Sequence, residues 1–204
     1  MCTDRLSAVL DSTYECLLLY GVRRTTMDDI AARTGLSRSS LYTYVRNKDE
    51  AFRLLAERLY SRALSAAEAA AADSEATAEQ RALGILTAKL DLVLPMGDSP
   101  HVAELLDARA RLAGDICTAF GDRMRALLTE VFGQAGTDRP RDAAEICLTL
   151  IRGFESAPHQ AHLLQPAAEA LINGLLPSAR PATSPHPSHP SSPHPSSPLE
   201  HSHV

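Results

Sequence analysis

The sequence is poor in the residues that build β-sheets and membrane spans. Its 204 residues include no tryptophan and only 4% aromatic residues, and β-branched residues form no alternating run of the kind that marks half-buried strands. No apolar stretch approaches the roughly 18 residues that a membrane-spanning helix needs, and the opening residues do not resemble a signal peptide. Composition therefore predicts an all-α, cytoplasmic protein with no membrane partner.

Cysteine is also scarce, and the four cysteines are scattered along the chain. Cys2, Cys16, Cys117 and Cys147 form no CxxC pair, so reduced thiols are expected. A redox-sensing thiol is the alternative, although no basic cluster flanks a cysteine to lower its pKa. The sequence shows no Cys/His, Ser/His or carboxylate arrangement with catalytic spacing. We therefore expect no enzyme activity, no cofactor and no metal site.

The charge balance is acidic overall but basic in one segment. The formal net charge is −5, which by itself disfavours nucleic-acid binding. Between Arg23 and Lys48, however, six basic residues outnumber two acidic ones, a local net charge of +4. Attraction to phosphates decays over a Debye length of about 8 Å at physiological salt. The local patch therefore governs DNA binding more than the total charge does.

Residues 25–48 have the pattern of two short helices joined at a tight turn. Thr26 and Ser37 each stand where a hydroxyl can accept the first amide hydrogen bonds of a helix. Gly35 lies between the helices and can adopt the left-handed conformation that ends the first one. The second helix, Arg38 to about Val45, is about 11 Å long at 1.5 Å per residue, short enough to enter a DNA major groove about 12 Å wide. The pattern predicts a helix-turn-helix, locked by apolar contacts of Ile30, Ala31, Leu36, Leu41 and Val45.

This segment resembles the N-terminal module of the tetracycline-repressor (TetR) family of bacterial regulators. The resemblance covers about residues 4–60 and rests on Thr25-Thr26, Ile30-Ala31, Gly35-Leu36-Ser37, Leu41-Tyr42-x-Tyr44 and Asn47-Lys48-Asp49. Two residues depart from the family pattern: Ser39 stands where many members have glycine, and Val45 where many have phenylalanine. Both suit a helix, and the Ser39 hydroxyl bears on which bases are read. The alternative, a helical hairpin inside an ordinary all-α protein, is disfavoured by the Tyr-x-Tyr and Asn-Lys-Asp elements.

The resemblance implies DNA-binding roles for six residues. Arg38, at the start of the recognition helix, is expected to donate two hydrogen bonds to guanine O6 and N7, with Ser39 and Tyr42 beside it. For Tyr42, a ring that packs the recognition helix is the alternative. Three further residues are assigned to phosphates, which hold register without reading sequence: Thr26, Tyr44 and Lys48.

Apolar periodicity predicts a helical second domain after this module. We expect a DNA-binding domain at residues 1–47, a regulatory and dimerisation domain at 48–176, and a tail at 177–204. Gly21 should end the first helix, and Gly114 should bend a long later one. Besides the helix-turn-helix, helices are predicted over about 4–20, 48–72, 78–94, 100–132, 140–158 and 166–176.

The composition changes abruptly after Pro177, where proline, serine and histidine replace the apolar pattern. Such a segment cannot offset the entropy of ordering, so a disordered tail is expected. The alternative function for the chain is a helical metal- or ligand-binding protein that uses this tail. Its prolines prevent a helical face and the spacing is loose, which disfavours a metal site at His186, His189, His194, His201 and His203.

The partners expected from the resemblance are double-stranded DNA, a second copy of the chain and a small-molecule effector. One module reads too few base pairs for useful specificity, whereas a two-fold dimer sets recognition helices about 34–36 Å apart on a near-palindromic operator. The dimer face is expected on the last two helices, at Ile146, Leu150, Phe154, Leu171 and Leu175. Alternatively, these residues only close the monomer core.

The effector is expected to bind between the helices that span residues 78–132. His101, Arg109 and Asp115 are polar residues on a largely apolar segment, so they are candidates to face a ligand, with an ordinary surface position as the alternative for each. The predicted function is a sequence-specific transcriptional regulator, a repressor that a small molecule releases from its operator.

Overall fold

The computed structural model describes residues 2–92, 99–155, 160 and 163–177, and these form eight α-helices and no strand. The all-α prediction is thereby confirmed. The predicted tail beyond Pro177, its five histidines and most of the loop before Pro100 lie outside the described residues. The helices are α1 (Cys2–Arg24), α2 (Met27–Thr34), α3 (Arg38–Leu41), α4 (Lys48–Ala72), α5 (Ala78–Leu90), α6 (Val102–Gln134), α7 (Pro140–Glu155) and α8 (Leu164–Leu175).

Local hydrogen bonds start the helices where the sequence predicted them. Before α2, the Thr26 hydroxyl accepts from the Asp29 amide while the Asp29 carboxylate accepts from the Thr26 amide, a reciprocal capping box. Asn47 caps α4 by accepting from the amide of Glu50. Gly35 ends α2 in the left-handed conformation at φ 71° and ψ 29°, which a residue without Cβ adopts at little cost.

The recognition helix is shorter than predicted. Regular α-helix covers only Arg38–Leu41, whereas the sequence pattern suggested a helix to about Val45. The amides of Thr43 and Tyr44 bond to carbonyls three residues back, at 3.2 and 2.9 Å, so the chain tightens into turns before Asn47.

The starts of α1, α6 and α8 each differ from prediction by about two residues. Helix α6 begins at Val102, and the Ser99 hydroxyl before it donates to the Leu18 carbonyl at 2.9 Å while it accepts from the His101 amide at 3.2 Å. Helix α8 begins at Leu164 and places Pro166 in its first turn, where a missing N–H breaks no intrahelical bond. The bend expected at Gly114 occurs at the preceding residue, Ala113, with φ −139° and ψ 24°.

Helix α4 connects three apolar clusters. Ala51 belongs to the first cluster, which packs α1 against α2 and the recognition helix. Phe52 and Leu55 belong to a second cluster, here called the junction, with residues of α1 and α6. Ala63 and Ala67 belong to the large third cluster among α4 to α8. A movement of α4 therefore affects both the regulatory domain and the DNA-binding module of α1, α2 and α3, here called the reading module.

The proposed dimer face is only partly exposed in the monomer. Ile146 on α7 is 46% exposed. The other four candidates are half-buried and pack against the third cluster: Leu150, Phe154, Leu171 and Leu175. These four close the monomer core as the alternative expected, and their role in a dimer stays a prediction.

Gly21 lies where the C-terminal part of α1 contacts the N-terminal end of α6. It interrupts α1 with φ 77° and ψ 168°, a conformation that is essentially restricted to glycine, so the sequence correctly placed a helix break here. A Cβ at this position would overlap the Glu104 carboxylate and lie 2.9 Å from His101 Nδ1. A side chain at Gly21 is thus disfavoured both by the backbone and by its surroundings.

Gly21→Ala is therefore expected to cost more stability than Gly35→Ala. Gly35 also has a positive φ, but a Cβ there meets nothing within 4 Å, so Gly35→Ala should lower the free energy of unfolding by about 1 kcal/mol. Gly21→Ala should lower it by about 3 kcal/mol, the upper end for strained backbone. Urea titrations at one protein concentration measure both values. Equal losses would show that α6 does not constrain the end of α1.

Candidate nucleic-acid interface

The buried side of the helix-turn-helix fixes the orientation of its exposed side. Ile30 of α2 and Leu41 of α3 are fully buried, and Val45 is 1% exposed. Because these three side chains hold the short recognition helix against α1 and α2, Arg38 and Ser39 on the opposite side are exposed to solvent. The outward position predicted for these two residues is confirmed.

The two predicted tyrosines differ in exposure. Tyr42 is 42% exposed, as a residue that meets DNA should be. Tyr44 is half-buried and packs against the cluster that contains Leu41, so its ring supports the buried side of the recognition helix. Any phosphate contact of Tyr44 has to come from its hydroxyl end.

Arg38 is held by two neighbours. Its Nη1 donates to both carboxylate oxygens of Asp28, at 3.0 and 2.8 Å, and its guanidinium carbon lies 5.9 Å from the centre of the Tyr42 ring. The Arg38 and Asp28 side chains are 60% and 62% exposed, and exposed ion pairs contribute only about 0–1 kcal/mol. Asp28 therefore orients the guanidinium but does not prevent its exchange for an acceptor on DNA.

Hydroxyl groups near Arg38 are engaged in local bonds. Ser37 Oγ lies 3.0 Å from Ser39 Oγ and accepts from the Ser40 amide at 3.1 Å. The Thr26 hydroxyl donates to Asp29 at 2.6 Å, and hydrogen bonds from this hydroxyl and from the Thr26 amide lower the pKa of the Asp29 carboxyl. The capping carboxylate therefore stays ionised, and the Thr26 hydroxyl is used by the cap.

Lys48 makes a contact that the sequence did not predict. Its ammonium donates to the Val22 carbonyl at 2.7 Å and lies 3.4 Å from the Arg23 carbonyl. These carbonyls belong to the last turn of α1, where a helix carries partial negative charge. Lys48 thus ties the start of α4 to the end of α1. No local signal indicates this pairing, because the partners are separated by more than 20 residues.

Two further basic side chains of this segment are paired with nearby carboxylates. Arg33 Nε donates to Glu15 at 2.6 Å, and Arg46 Nη2 donates to Glu50 at 2.6 Å. Glu15 and Glu50 both lie outside the segment 23–48 that gave the local charge of +4, so that count overestimates the positive potential. The Arg33–Glu15 pair is exposed on both sides, and a phosphate can replace that carboxylate at low cost. In the other pair Arg46 is 84% exposed but Glu50 only 24%.

The three predicted effector residues do not lie in one site. His101 lies against Gly21 at the start of α6. Asp115 accepts from both Arg53 Nη atoms, at 2.8 and 2.6 Å, and this guanidinium lowers the pKa of the Asp115 carboxyl to about 2. Arg109 alone of the three borders the cleft that Leu17 and Phe52 also line.

The described cysteine side chains show no activated thiol. Cys16 and Cys147 are buried, and burial raises the pKa of Cys147 to about 11, which keeps the thiol protonated and unreactive. Cys117 donates to the Tyr60 hydroxyl at 3.2 Å. Among the described residues, no group of His, Cys, Asp or Glu side chains is arranged to hold a metal ion. In the same part of the chain, no helix is long and apolar enough to cross a membrane.

Comparison with known proteins supports the assignment of this module. Residues 9–55 match the sequence profile of bacterial regulatory proteins of the tetR family. That segment contains α1 beyond its first turns, the helix-turn-helix and the start of α4. No curated protein sequence matches the chain significantly.

Solved structures share the fold over most of the chain. A transcriptional regulator from Rhodococcus sp. Rha1 gives a TM-score of 0.67 at 17% identity, over 83% of this chain and 95% of that one. The TetR family transcriptional regulator PfmR from Thermus thermophilus gives 0.63 at 17%, over 82% and 96%. SmeT in complex with triclosan gives 0.62 at 19%, over 90% and 98%. At these identities the likeness establishes the fold.

The contact between α4 and α1 predicts a structural role for Lys48. Lys48→Ala should lower the free energy of unfolding by about 1 kcal/mol, because two carbonyls at the end of α1 lose a charged donor. Arg24→Ala is the matched control, since Arg24 is an exposed cation at the same end of α1, and it should change stability by less than about 0.5 kcal/mol. Thermal and urea unfolding measure the difference. If Lys48→Ala lowers the free energy of unfolding no more than Arg24→Ala does, the contact of Lys48 with α1 does not stabilise the fold.

Proposed function

We propose that this chain, a member of the tetR family of bacterial regulatory proteins by its N-terminal module, is a sequence-specific DNA-binding transcriptional regulator. The observation that carries the proposal is the exposed Arg38 at the first position of a recognition helix whose other side is locked by the fully buried Leu41. In this proposal the protein acts in the cytoplasm and has no catalytic activity.

Arg38 is assigned to base reading. A guanidinium has five N–H donors, and Asp28 bonds to Nη1, so the rest of the group can face guanine O6 and N7 in the major groove. Ser39 and Tyr42 are exposed beside it and are assigned to neighbouring bases. Asp28 then acts as a positioning residue that reduces the freedom lost when Arg38 meets its base.

Thr26, Tyr44 and Lys48 are assigned to phosphates at the edges of the groove. For Thr26 this requires its hydroxyl to exchange the bond to the Asp29 carboxylate for one to a phosphate oxygen. The Lys48 ammonium has three protons, so it can bind a phosphate while it donates to the Val22 carbonyl at 2.7 Å. It lies in the first turn of α4, a helix of 25 residues, whose N-terminal amides also attract an anion. These contacts set the register of the recognition helix and carry no sequence information.

The regulatory part of the proposal is a homodimer that represses transcription until a small molecule releases it. The exposed Ile146 on α7 supports a self-complementary face on the last two helices. The SmeT structure, which shares the fold, is a complex with triclosan, and a small-molecule effector is proposed here by analogy. A mobility-shift assay with the DNA that flanks the gene for this protein tests the proposal, and a near-palindromic site is expected.

Arg38→Ala separates base reading from phosphate binding. The variant should lose about 1–3 kcal/mol on the cognate operator and relax preference at one base pair of each half-site, while nonspecific affinity falls less. The measurement is a titration of cognate and scrambled duplexes at matched salt. Equal losses on both duplexes would make Arg38 a phosphate contact and transfer base reading to Ser39 and Tyr42.

Lys48→Ala is the matched variant for phosphate binding. It should weaken cognate and scrambled DNA nearly alike and reduce the slope of log affinity against log salt by about 0.9 per contact, hence by nearly two in a dimer. Because Lys48 also contacts α1, the DNA affinities of Lys48→Ala are measured well below the unfolding temperature of this variant. An unchanged salt slope would remove Lys48 from the phosphate contacts.

Ile146→Glu tests the proposed dimer face. Ile146 is already 46% exposed in the monomer, so the change should preserve folding while it places an unpaired carboxylate inside the dimer interface, which is strongly disfavoured. Light scattering should report a monomer and operator affinity should fall at least tenfold. Leu19→Glu is the control, since Leu19 on α1 is 53% exposed and should leave the mass unchanged. A folded dimer of Ile146→Glu would place the interface elsewhere.

A further inference from the structure

A cleft opens where the reading module meets the regulatory domain. Its space is about 510 Å³, a figure that includes the open solvent at its mouth. Three helices supply its walls: Tyr14 and Leu17 from α1, Phe52 and Leu59 from α4, and Leu105 and Arg109 from α6. The cleft therefore lies beside the junction cluster and includes a helix of the DNA-binding module.

The chemistry of the walls selects a class of ligand. Among the described residues that line the cleft, Arg109 carries the one charged side chain, and most of the others are aliphatic or aromatic. Burial raises the pKa of the Tyr14 hydroxyl, so this group stays neutral and does not oppose an anion. A cationic ligand would be repelled by Arg109, and a neutral hydrocarbon would bring no anion to the guanidinium.

We propose that this cleft binds an apolar monocarboxylate, with its hydrocarbon part between α1 and α4 and its carboxylate on Arg109. A guanidinium matches a carboxylate with two parallel N–H···O bonds. Its five donors allow this pairing beside the contact that Arg109 already makes within the protein. Leu17 and Phe52, 1% and 7% exposed, form the apolar floor.

The ligand site is connected directly to the reading module, and its effect on DNA rests on the proposed function. At the same end of α6, the Glu104 carboxylate accepts from the Arg23 amide at 2.6 Å, and Ser99 bonds to the Leu18 carbonyl at 2.9 Å. A ligand that reaches from the space between α1 and α4 to Arg109 on α6 changes the separation that these two bonds hold. Filling the cleft therefore moves α1 relative to α6 and lowers DNA affinity.

Linkage sets a quantitative condition on this coupling. If the ligand lowers operator affinity tenfold, bound operator must lower ligand affinity tenfold as well. The two factors are measured independently, one by DNA titration at saturating ligand and the other by ligand titration of the DNA complex. Unequal factors would show that the ligand acts at some place other than on the protein that binds DNA.

Calorimetric titration of the full-length chain tests the site without DNA. Dodecanoate below its micelle concentration is the probe, and dodecanol is the neutral match of equal chain length. Dodecanoate should bind with one molecule per chain and at least tenfold more tightly than dodecanol. Absence of dodecanoate binding, or equal affinity for the alcohol, overturns the proposal.

Two pairs of variants locate the binding. Leu59→Trp fills the cleft and should weaken dodecanoate at least tenfold, whereas Leu64→Trp, on the same helix but lining a different groove, should not. Arg109→Met should abolish the preference for dodecanoate over dodecanol, whereas Arg111→Met, at an exposed position on the same helix, should keep it. Arg109→Met decides the question if circular dichroism shows that Leu59→Trp is unfolded.

The outcomes separate this inference from the proposed function. Dodecanoate binding that is equal in Arg109→Met and Arg111→Met overturns the site, whatever the protein does with DNA. Binding at the site with unchanged operator affinity overturns the coupling. If the protein binds no DNA selectively, the proposed function fails, and the titrations still decide whether the cleft takes a carboxylate.

Discussion

The attachment of the last turn of α1 to α4 and α6 is the constraint on which the rest of the structure depends. Its carbonyls accept from the Lys48 ammonium of α4, and its Arg23 amide donates to the Glu104 carboxylate of α6. One short segment is thus held by a cation on one side and an anion on the other. Gly21 makes the arrangement possible, because its backbone conformation and missing Cβ allow α6 to approach. The orientation of the reading module follows from these contacts.

The arginines of the reading module pair with carboxylates that DNA can replace. Arg33, Arg38 and Arg46 each pair with a carboxylate. The Arg33 and Arg38 pairs are exposed on both sides, and such a pair contributes about 0–1 kcal/mol. DNA can replace these carboxylates with phosphates or base acceptors at small cost. The paired state also limits the positive potential of the free protein, which restrains nonspecific binding. Lys48 differs because its half-buried side chain serves the fold as well as the proposed phosphate contact.

Local sequence signals predicted the parts of the fold that depend on neighbouring residues. The caps at Thr26 and Ser37, the turn at Gly35 and the break at Gly21 require residues only a few positions apart, so their patterns are visible in the sequence. Contacts across the fold carry no such pattern. The pairing of Lys48 with Val22 and of Arg53 with Asp115 joins separate helices, and the cleft beside Arg109 draws its walls from α1, α4 and α6. The resemblance to a family supplied the residues that are proposed to bind DNA, which packing alone would not identify.

The central claim is that the two copies of an exposed recognition helix read DNA sequence. Selection of bound duplexes from a random library, followed by sequencing, tests it most directly, because no operator has to be assumed. The account predicts enrichment of a near-palindrome with half-sites about 34–36 Å apart, and loss of one conserved guanine per half-site when Arg38→Ala is used for selection. Retention of DNA without any enriched sequence, or an identical enriched site for Arg38→Ala, would contradict it.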